Sequence, residues 1–328
     1  MRGAALGAML AGLVLTVALV AYFGAEAVVG ALREAGLVGL AAISLMHLVA
    51  TSLMGLAWWL LVSRQAPARL WLFIGSRLLR DSASEVLPLS QVGGYVVGAR
   101  ALVLHGVGGA LAAASTLVDV TLELCGQIAF TALGIGLLIW FRPSTTLAEP
   151  LLLGLAFAVV VVAAFVAVQR RGAHLLERLT ARLAGRWVTA IAAGAGSAQT
   201  VIHEIHRHRG ALWASFLLHL LAWLWTSTEA WLALRLMGAP LGIAAVLAIE
   251  SLLYAIRSIA FIVPNALGVQ EGAYVMLGAM FGLAPEMALG LSLLKRGRDL
   301  VLGVPALLVW QVLESRRLLE RRLDEPRG

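Results

Sequence analysis

Cysteine is nearly missing. Cys125 is the only one in 328 residues, which excludes intramolecular disulfides and cysteine-based zinc sites. Lysine is as scarce: Lys295 stands alone among 25 basic residues, the rest being arginine. Charged residues make up 13% of the chain, about half the ~25% usual in soluble domains. No Walker-type Gly-x-x-x-x-Gly-Lys run is present, so nothing of that kind cradles a nucleotide, and no cofactor is expected.

What is abundant is apolar surface. Hydrophobic residues reach 61%, and the mean hydropathy is +0.91. A spanning helix needs about 20 mostly apolar residues, and the stretches 4–23, 36–62, 107–141, 150–168, 211–237 and 241–263 meet or nearly meet that length. The expected fold is therefore an all-α polytopic integral membrane protein. The first run follows Arg2 and ends near Ala25-Glu26-Ala27, imitating a signal peptide. At about 20 residues it exceeds a typical 7–15-residue signal core, so it reads as an uncleaved first span.

The net charge of +7 does not indicate nucleic acid, because the arginines flank apolar runs. Arg170, Arg171, Arg178, Arg182, Arg186, Arg207 and Arg209 share one stretch, and Arg316, Arg317, Arg321, Arg322 and Arg327 share the tail. This is the positive-inside pattern, suited to anionic headgroups. It predicts both termini in the cytoplasm of a bacterial inner-membrane protein, with a cytoplasmic loop at 169–210 and a basic tail at 314–328. Within that loop Leu175, Leu176, Leu179, Leu183 and Trp187 recur at helical spacing, as in an interfacial amphipathic helix. His203, His206 and His208 are spaced by three and five, not the four of a His-Glu-x-x-His zinc site, so they read as a solvated face. No metal site is expected.

Two distant stretches, about 41–141 and 211–313, carry the same landmarks in the same order. His47-Leu48-Val49-Ala50 and Trp59-Leu60 in the first match His219-Leu220-Leu221-Ala222 and Trp231-Leu232 in the second. Arg80, Pro88 and Gln91-Val92-Gly93-Gly94-Tyr95 match Arg257, Pro264 and Gln270-Glu271-Gly272-Ala273-Tyr274. By the arginine topology the copies run in opposite directions, an inverted repeat within one membrane domain spanning 1–328. Six long spans and two hairpins, 69–100 and 241–282, are expected, or eight to ten helices. Each hairpin breaks at a proline and glycines, re-entrant or fully spanning; non-helical backbone at that depth must be buried or line a wet cavity.

Charge at membrane depth costs about 2.5–3.5 kcal/mol per residue on insertion scales, so such residues pair or line a pathway. Asp119, Glu123, Glu229, Glu250, Arg257, Glu271, Lys295, Arg296, Arg298 and Asp299 are placed there. Asp119 and Glu123, one helical turn apart, are expected to neutralise Lys295, Arg296 or Arg298. Pairing alone explains each residue singly; the whole set, with two broken hairpins, points to a central polar cavity. The duplicated Gln-x-Gly turns beside Arg80 and Arg257 suit an anion at a helix N-terminus, or a tight turn.

Arg80-Asp81-Ser82, Glu85-Val86-Leu87-Pro88, Gln91-Val92-Gly93-Gly94 and Val97-Gly98-Ala99-Arg100 resemble the flippase-like membrane family that includes the transmembrane region of lysylphosphatidylglycerol synthases. So do Arg257, the run from Val263-Pro264 through Gly268-Val269-Gln270-Glu271-Gly272, and Lys295-Arg296-Gly297-Arg298-Asp299-Leu300. More narrowly the chain resembles hopanoid-biosynthesis-associated membrane proteins. The resemblance implies translocation of a hopanoid or phospholipid, with Arg80, Glu85, Pro88, Gln91, Gly93, Gly94, Arg100, Arg257, Pro264, Gly268, Gln270, Glu271 and Gly272 at the transport site. Membrane lipids are the implied partners, with lipid-biosynthesis enzymes beside them. No transferase domain is expected, so lysyl transfer is not. An intramembrane lipid-modifying enzyme using Asp119, Glu123 or Glu271 as base, and a scaffold of a lipid-synthesis complex, are the alternatives.

Overall fold

A computed structural model describes residues 2–87, 91–146, 148–180, 186–239, 241–260 and 263–324; side chains at 2–9, 11–12, 91, 148, 170–196, 264 and 316–324 are outside the description. Among the described residues every regular element is helical: α1 (Arg2–Phe23), α2 (Ala25–Val62), α3 (Leu70–Val86), α4 (Gln91–Leu104), α5 (Gly109–Phe141), α6 (Ala148–Thr180), α7 (Arg186–Arg207), α8 (Arg209–Leu236), α9 (Ile243–Ile259), α10 (Val269–Met280) and α11 (Pro285–Asp324). A polytopic all-α membrane protein is what the apolar runs require, since helices satisfy their own backbone groups in lipid.

Four helices among the described residues are long and apolar enough to cross a membrane: Ala25–Val62, Gly109–Phe141, Glu149–Gln169 and Arg209–Leu236. Gly36 sits inside α2 at φ 57°, ψ −165°, so α2 is two helices joined at a break, and the apolar run beginning at 36 starts there. The run 241–263 yields only the 17 residues of α9, the first arm of the second hairpin. Its arms α9 and α10 (12 residues), like α3 (17) and α4 (14), all fall short of the ~20 residues a full crossing needs.

The helices pack by one scheme used twice. α2 and α8 lie along each other at the centre; α3 packs on α4, and α9 on α10. α5 packs on α8 and α9, while α11 packs on α2 and α3. Exchanging α2–α5 for α8–α11 thus preserves these neighbours. Close approach relies on small residues, as usual between membrane helices. A Cβ on Gly55 of α2 would lie 2.7 Å from Ile74 Cα of α3, and one on Gly94 of α4 would lie 2.5 Å from the Arg80 carbonyl oxygen.

Two stretches differ from expectation. The segment 169–210 is largely helical: α6 continues to Thr180, and α7 docks on α5. Ile202 and Ile205 of α7 are buried with Leu61, Ala114 and Val118; of the histidines read as a solvated face, His203 is exposed while His206 and His208 are half-buried. The interfacial helix expected around Leu175, Leu176, Leu179, Leu183 and Trp187 lies outside the described side chains. The tail is not separate either, because α11 runs unbroken through 314 to Asp324, with Pro305 inside it.

Candidate functional site

The buried face of α3 follows helical spacing: Phe73, Ser76, Arg77, Arg80 and Ser84 point inward. Two arginines on one apolar face need carboxylates, and α5 supplies them. Arg77 donates to both oxygens of Glu123, at 2.9 and 2.7 Å, and to Asp81 at 2.9 Å. Arg80 donates to Asp119 at 2.8 Å and to Glu123, and stacks 4.4 Å over the Tyr95 ring. His219 of α8 closes the group, its Nε2 lying 3.0 Å from Asp119.

The second half builds a matching cluster with the signs redistributed. Lys295 of α11 donates to Glu250 of α9 at 2.6 Å and to the Tyr274 hydroxyl at 3.0 Å. Arg296 donates to Glu271 at 2.6 Å. Arg298 reaches Glu229 of α8 and also Asp299, at 2.6 Å. Glu229 in turn meets His47 of α2, Nδ1 to Oε2 at 3.3 Å. In the first half Arg77 and Arg80 on the hairpin meet Asp119 and Glu123 on the long helix; in the second Lys295 and Arg296 on the long helix meet Glu250 and Glu271 on the hairpin.

One contact ties the hairpins together. Arg257 of α9 donates to both oxygens of Glu85 near the end of α3, at 2.8 and 2.9 Å. Asn265 donates to the Glu85 carbonyl at 2.8 Å, and this asparagine and Ala266 take left-handed backbone conformations, φ 52° and 46°. Such a conformation is costly for non-glycine residues and persists where surrounding bonds over-determine it. Here Arg257 and Arg296 both also donate to Asn265.

Between the clusters lies a cavity of about 280 Å³. Its wall includes the guanidinium-bearing Arg77, Arg80, Arg257 and Arg298, and the carboxylate-bearing Asp81, Glu85, Glu123 and Asp299. Aromatic and apolar walls complete it, among them Met54, Trp223 and Tyr254. Among the described residues no cluster of three or more histidine, cysteine or acidic side chains is arranged to hold a metal.

Of the residues singled out from sequence, the cavity gathers Arg80, Glu85, Glu123, Arg257, Arg298 and Asp299. Others do different work. Asp119 and Glu123 were expected from sequence to meet Lys295, Arg296 or Arg298; they meet Arg77 and Arg80 instead, because the buried face of α3 turns its two arginines toward α5. The Gln-x-Gly turn of the second half is no open cradle. Glu271 itself caps α10, accepting from the Gly268 N–H at 2.8 Å and from Ser292 at 3.0 Å, while Gln270 donates to the same Ser292. Gly272 has open space around it. Gly94 serves helix contact; Gly93 is half-buried, and Arg100 pairs with Glu314 on α11, away from the cavity. Pro88 and the side chains of Gln91 and Pro264 lie outside the described residues. Sequence reading missed Arg77 and Asp81, although their spacing with Arg80 and Ser84 places them along one helix.

No curated protein and no solved structure matches this chain. The family model described as Lysylphosphatidylglycerol synthase TM region matches residues 9–306, from α1 through most of α11. The match takes in both halves, both hairpins and every cavity residue, so the chain belongs to the lysylphosphatidylglycerol synthase transmembrane-region family, membrane proteins of lipid metabolism or transport.

Proposed function

We propose that this protein moves a lipid, a hopanoid or a phospholipid, between the leaflets of the bacterial inner membrane. The headgroup passes through the central cavity while the tail stays in the bilayer. The carrying observation is the cavity itself: about 280 Å³, lined by arginines and carboxylates from both halves, inside a bundle whose outer helices are apolar. Small-molecule pockets run from about 300 to 1,000 Å³, so this volume suits a headgroup rather than a whole lipid. Substrate sites of inverted-repeat transporters lie where broken helices meet, and here Arg257 and Glu85 meet between the two hairpins. That pair is partly open, 13% and 21% exposed, so a headgroup phosphate can take the guanidinium from Glu85.

The carboxylates considered as bases for lipid chemistry, Asp119, Glu123 and Glu271, each accept from an arginine, which favours carrying over reacting. The test is reconstitution into vesicles of phosphatidylethanolamine and phosphatidylglycerol. Outer-leaflet lipid is read by an impermeant amine reagent and by periodate. Transfer above protein-free vesicles, with the lipids chemically unchanged, is expected; it should fall at least tenfold in Arg257→Ala and partly recover in Arg257→Lys. A changed lipid species would instead establish the enzyme.

A further inference from the structure

The charges around the cavity do not balance, and among the described buried ones five carboxylates face four cations. Around the cavity the described cations are Arg77 and Arg80 on α3, Arg257 on α9, and Lys295, Arg296 and Arg298 on α11. Against these six stand eight carboxylates: Asp81 and Glu85 on α3, Asp119 and Glu123 on α5, Glu229 on α8, Glu250 on α9, Glu271 on α10 and Asp299 on α11. Uncompensated charge in a low-dielectric interior costs several kcal/mol per ion. Two histidines adjoin this surplus, and they occupy matching positions in the two repeats, His47 and His219. Each touches a fully buried carboxylate whose other oxygen takes an arginine: His47–Glu229–Arg298 and His219–Asp119–Arg80.

The two sites differ in access. A carboxylate only accepts, so the ring nitrogen facing it carries the hydrogen: Nδ1 in His47, Nε2 in His219. The nitrogen left over is the basic one. In His219 that nitrogen, Nδ1, is buried with no partner, and the side chain is 0% exposed. A second N–H there would meet no acceptor. His47 lines the cavity and is 21% exposed, which lets its Nε2 exchange a proton with cavity water.

We propose that His47 is a proton-binding site that couples lipid movement to the proton gradient, an inference that rests on the translocation reading above. A proton from cavity water joins Nε2, the Nδ1–H stays on Glu229, and the imidazolium offsets one surplus carboxylate. Release to the opposite side returns the neutral ring. Glu229 of α8 faces the Nδ1 of His47, and the charged groups that share the cavity with it are Arg298 and Asp299 on α11, Arg77, Arg80, Asp81 and Glu85 on α3, Glu123 on α5 and Arg257 on α9. The described side chains of α1, which also packs on α2, carry no charge.

One proton per lipid across one pH unit sustains a leaflet ratio of about tenfold, since one unit is about 1.4 kcal/mol. Full-length protein in phosphatidylethanolamine and phosphatidylglycerol vesicles, given a one-unit gradient, should shift the equilibrium outer-leaflet fraction toward that ratio. His47→Asn should abolish the shift at whatever transfer rate it retains. In ¹⁵N-histidine spectra of the wild-type protein in nanodiscs, a resonance absent from His47→Asn should report proton uptake as the pH falls. Wild-type transfer that ignores the gradient would overturn coupling while leaving translocation intact, and needs no variant that folds. A gradient response surviving in folded His47→Asn would overturn the assignment to this residue. Wild-type protein that transfers nothing would overturn the translocation reading, and the proton site would then fall if no cavity histidine titrates.

Discussion

Arg80 is the residue whose removal tests the architecture most directly. Its side chain is 2% exposed and lies between Asp119, at 2.8 Å, and Glu123. Truncation to alanine leaves both carboxylates buried. Removing one partner of a buried ion pair costs about 3–5 kcal/mol. Here Asp119 keeps His219 and Glu123 keeps Arg77, so the cost should lie near the lower end, about 3 kcal/mol. Against a total stability of about 5–15 kcal/mol that is a large fraction. Denaturant titration in mixed micelles, followed by tryptophan fluorescence, would measure it. Arg80→Lys should fall between, because a compact ammonium reaches one carboxylate where the guanidinium fork reaches two. Arg80→Ala with Asp119→Ala should recover at least about 1 kcal/mol of the summed single losses, as expected for residues in one network. If Arg80→Ala unfolds within about 0.5 kcal/mol of wild type, the network is not what holds α3 to α5, and the ion-pair reasoning fails. The family resemblance implied Arg80 at the transport site; with the guanidinium already occupied by Asp119 and Glu123, its loss should show first as instability.

The remaining predictions concern packing, the rim and topology. Gly94→Ala would put a Cβ 2.0 Å from Ser84 Oγ and 2.5 Å from a backbone oxygen, so it should splay the first hairpin and lower the melting temperature, whereas Gly136→Ala, with open space around it, should be neutral or slightly stabilising. Glu314→Ala removes a half-exposed pair with Arg100 and should cost under about 1 kcal/mol in the same titration. Cysteine labelling on a Cys125→Ser background should find residues near 1 and 328 cytoplasmic and those at 238–242 external; external labelling of the tail would overturn the inverted orientation.

Some of this was readable residue by residue. The hairpin ends were legible only in part: α3 ends at Val86, before Pro88, and Gly268 takes φ 77° ahead of α10, but Gly93 and Gly94, expected at the first break, lie inside α4. Arg80 and Arg257 were found because each recurs in register within its copy. Arg77 escaped because it has no counterpart: the matching place in the second half falls near Tyr254, which carries no charge. Of the two readings open at Gln270-Glu271-Gly272, an anion position or a tight turn, sequence could not choose, because a glycine-rich turn says where a helix N-terminus lies, not which acceptor fills it. Glu271, three positions past Gly268, fills it from within the helix.

The sequence by itself determined the solvent, the helices and the list of charges that must be buried, because hydrophobicity and helical period are local properties of neighbouring residues. It could not determine which charge meets which. Arg80 and Asp119 are 39 positions apart, Arg298 and Glu229 are 69, and Arg257 and Glu85 are 172. Any buried carboxylate is satisfied by any guanidinium within reach, so the choice falls to helix packing. Only when the buried face of α3 turns Arg77 and Arg80 toward α5 do Asp119 and Glu123 take them, leaving Glu229 to Arg298 and to His47.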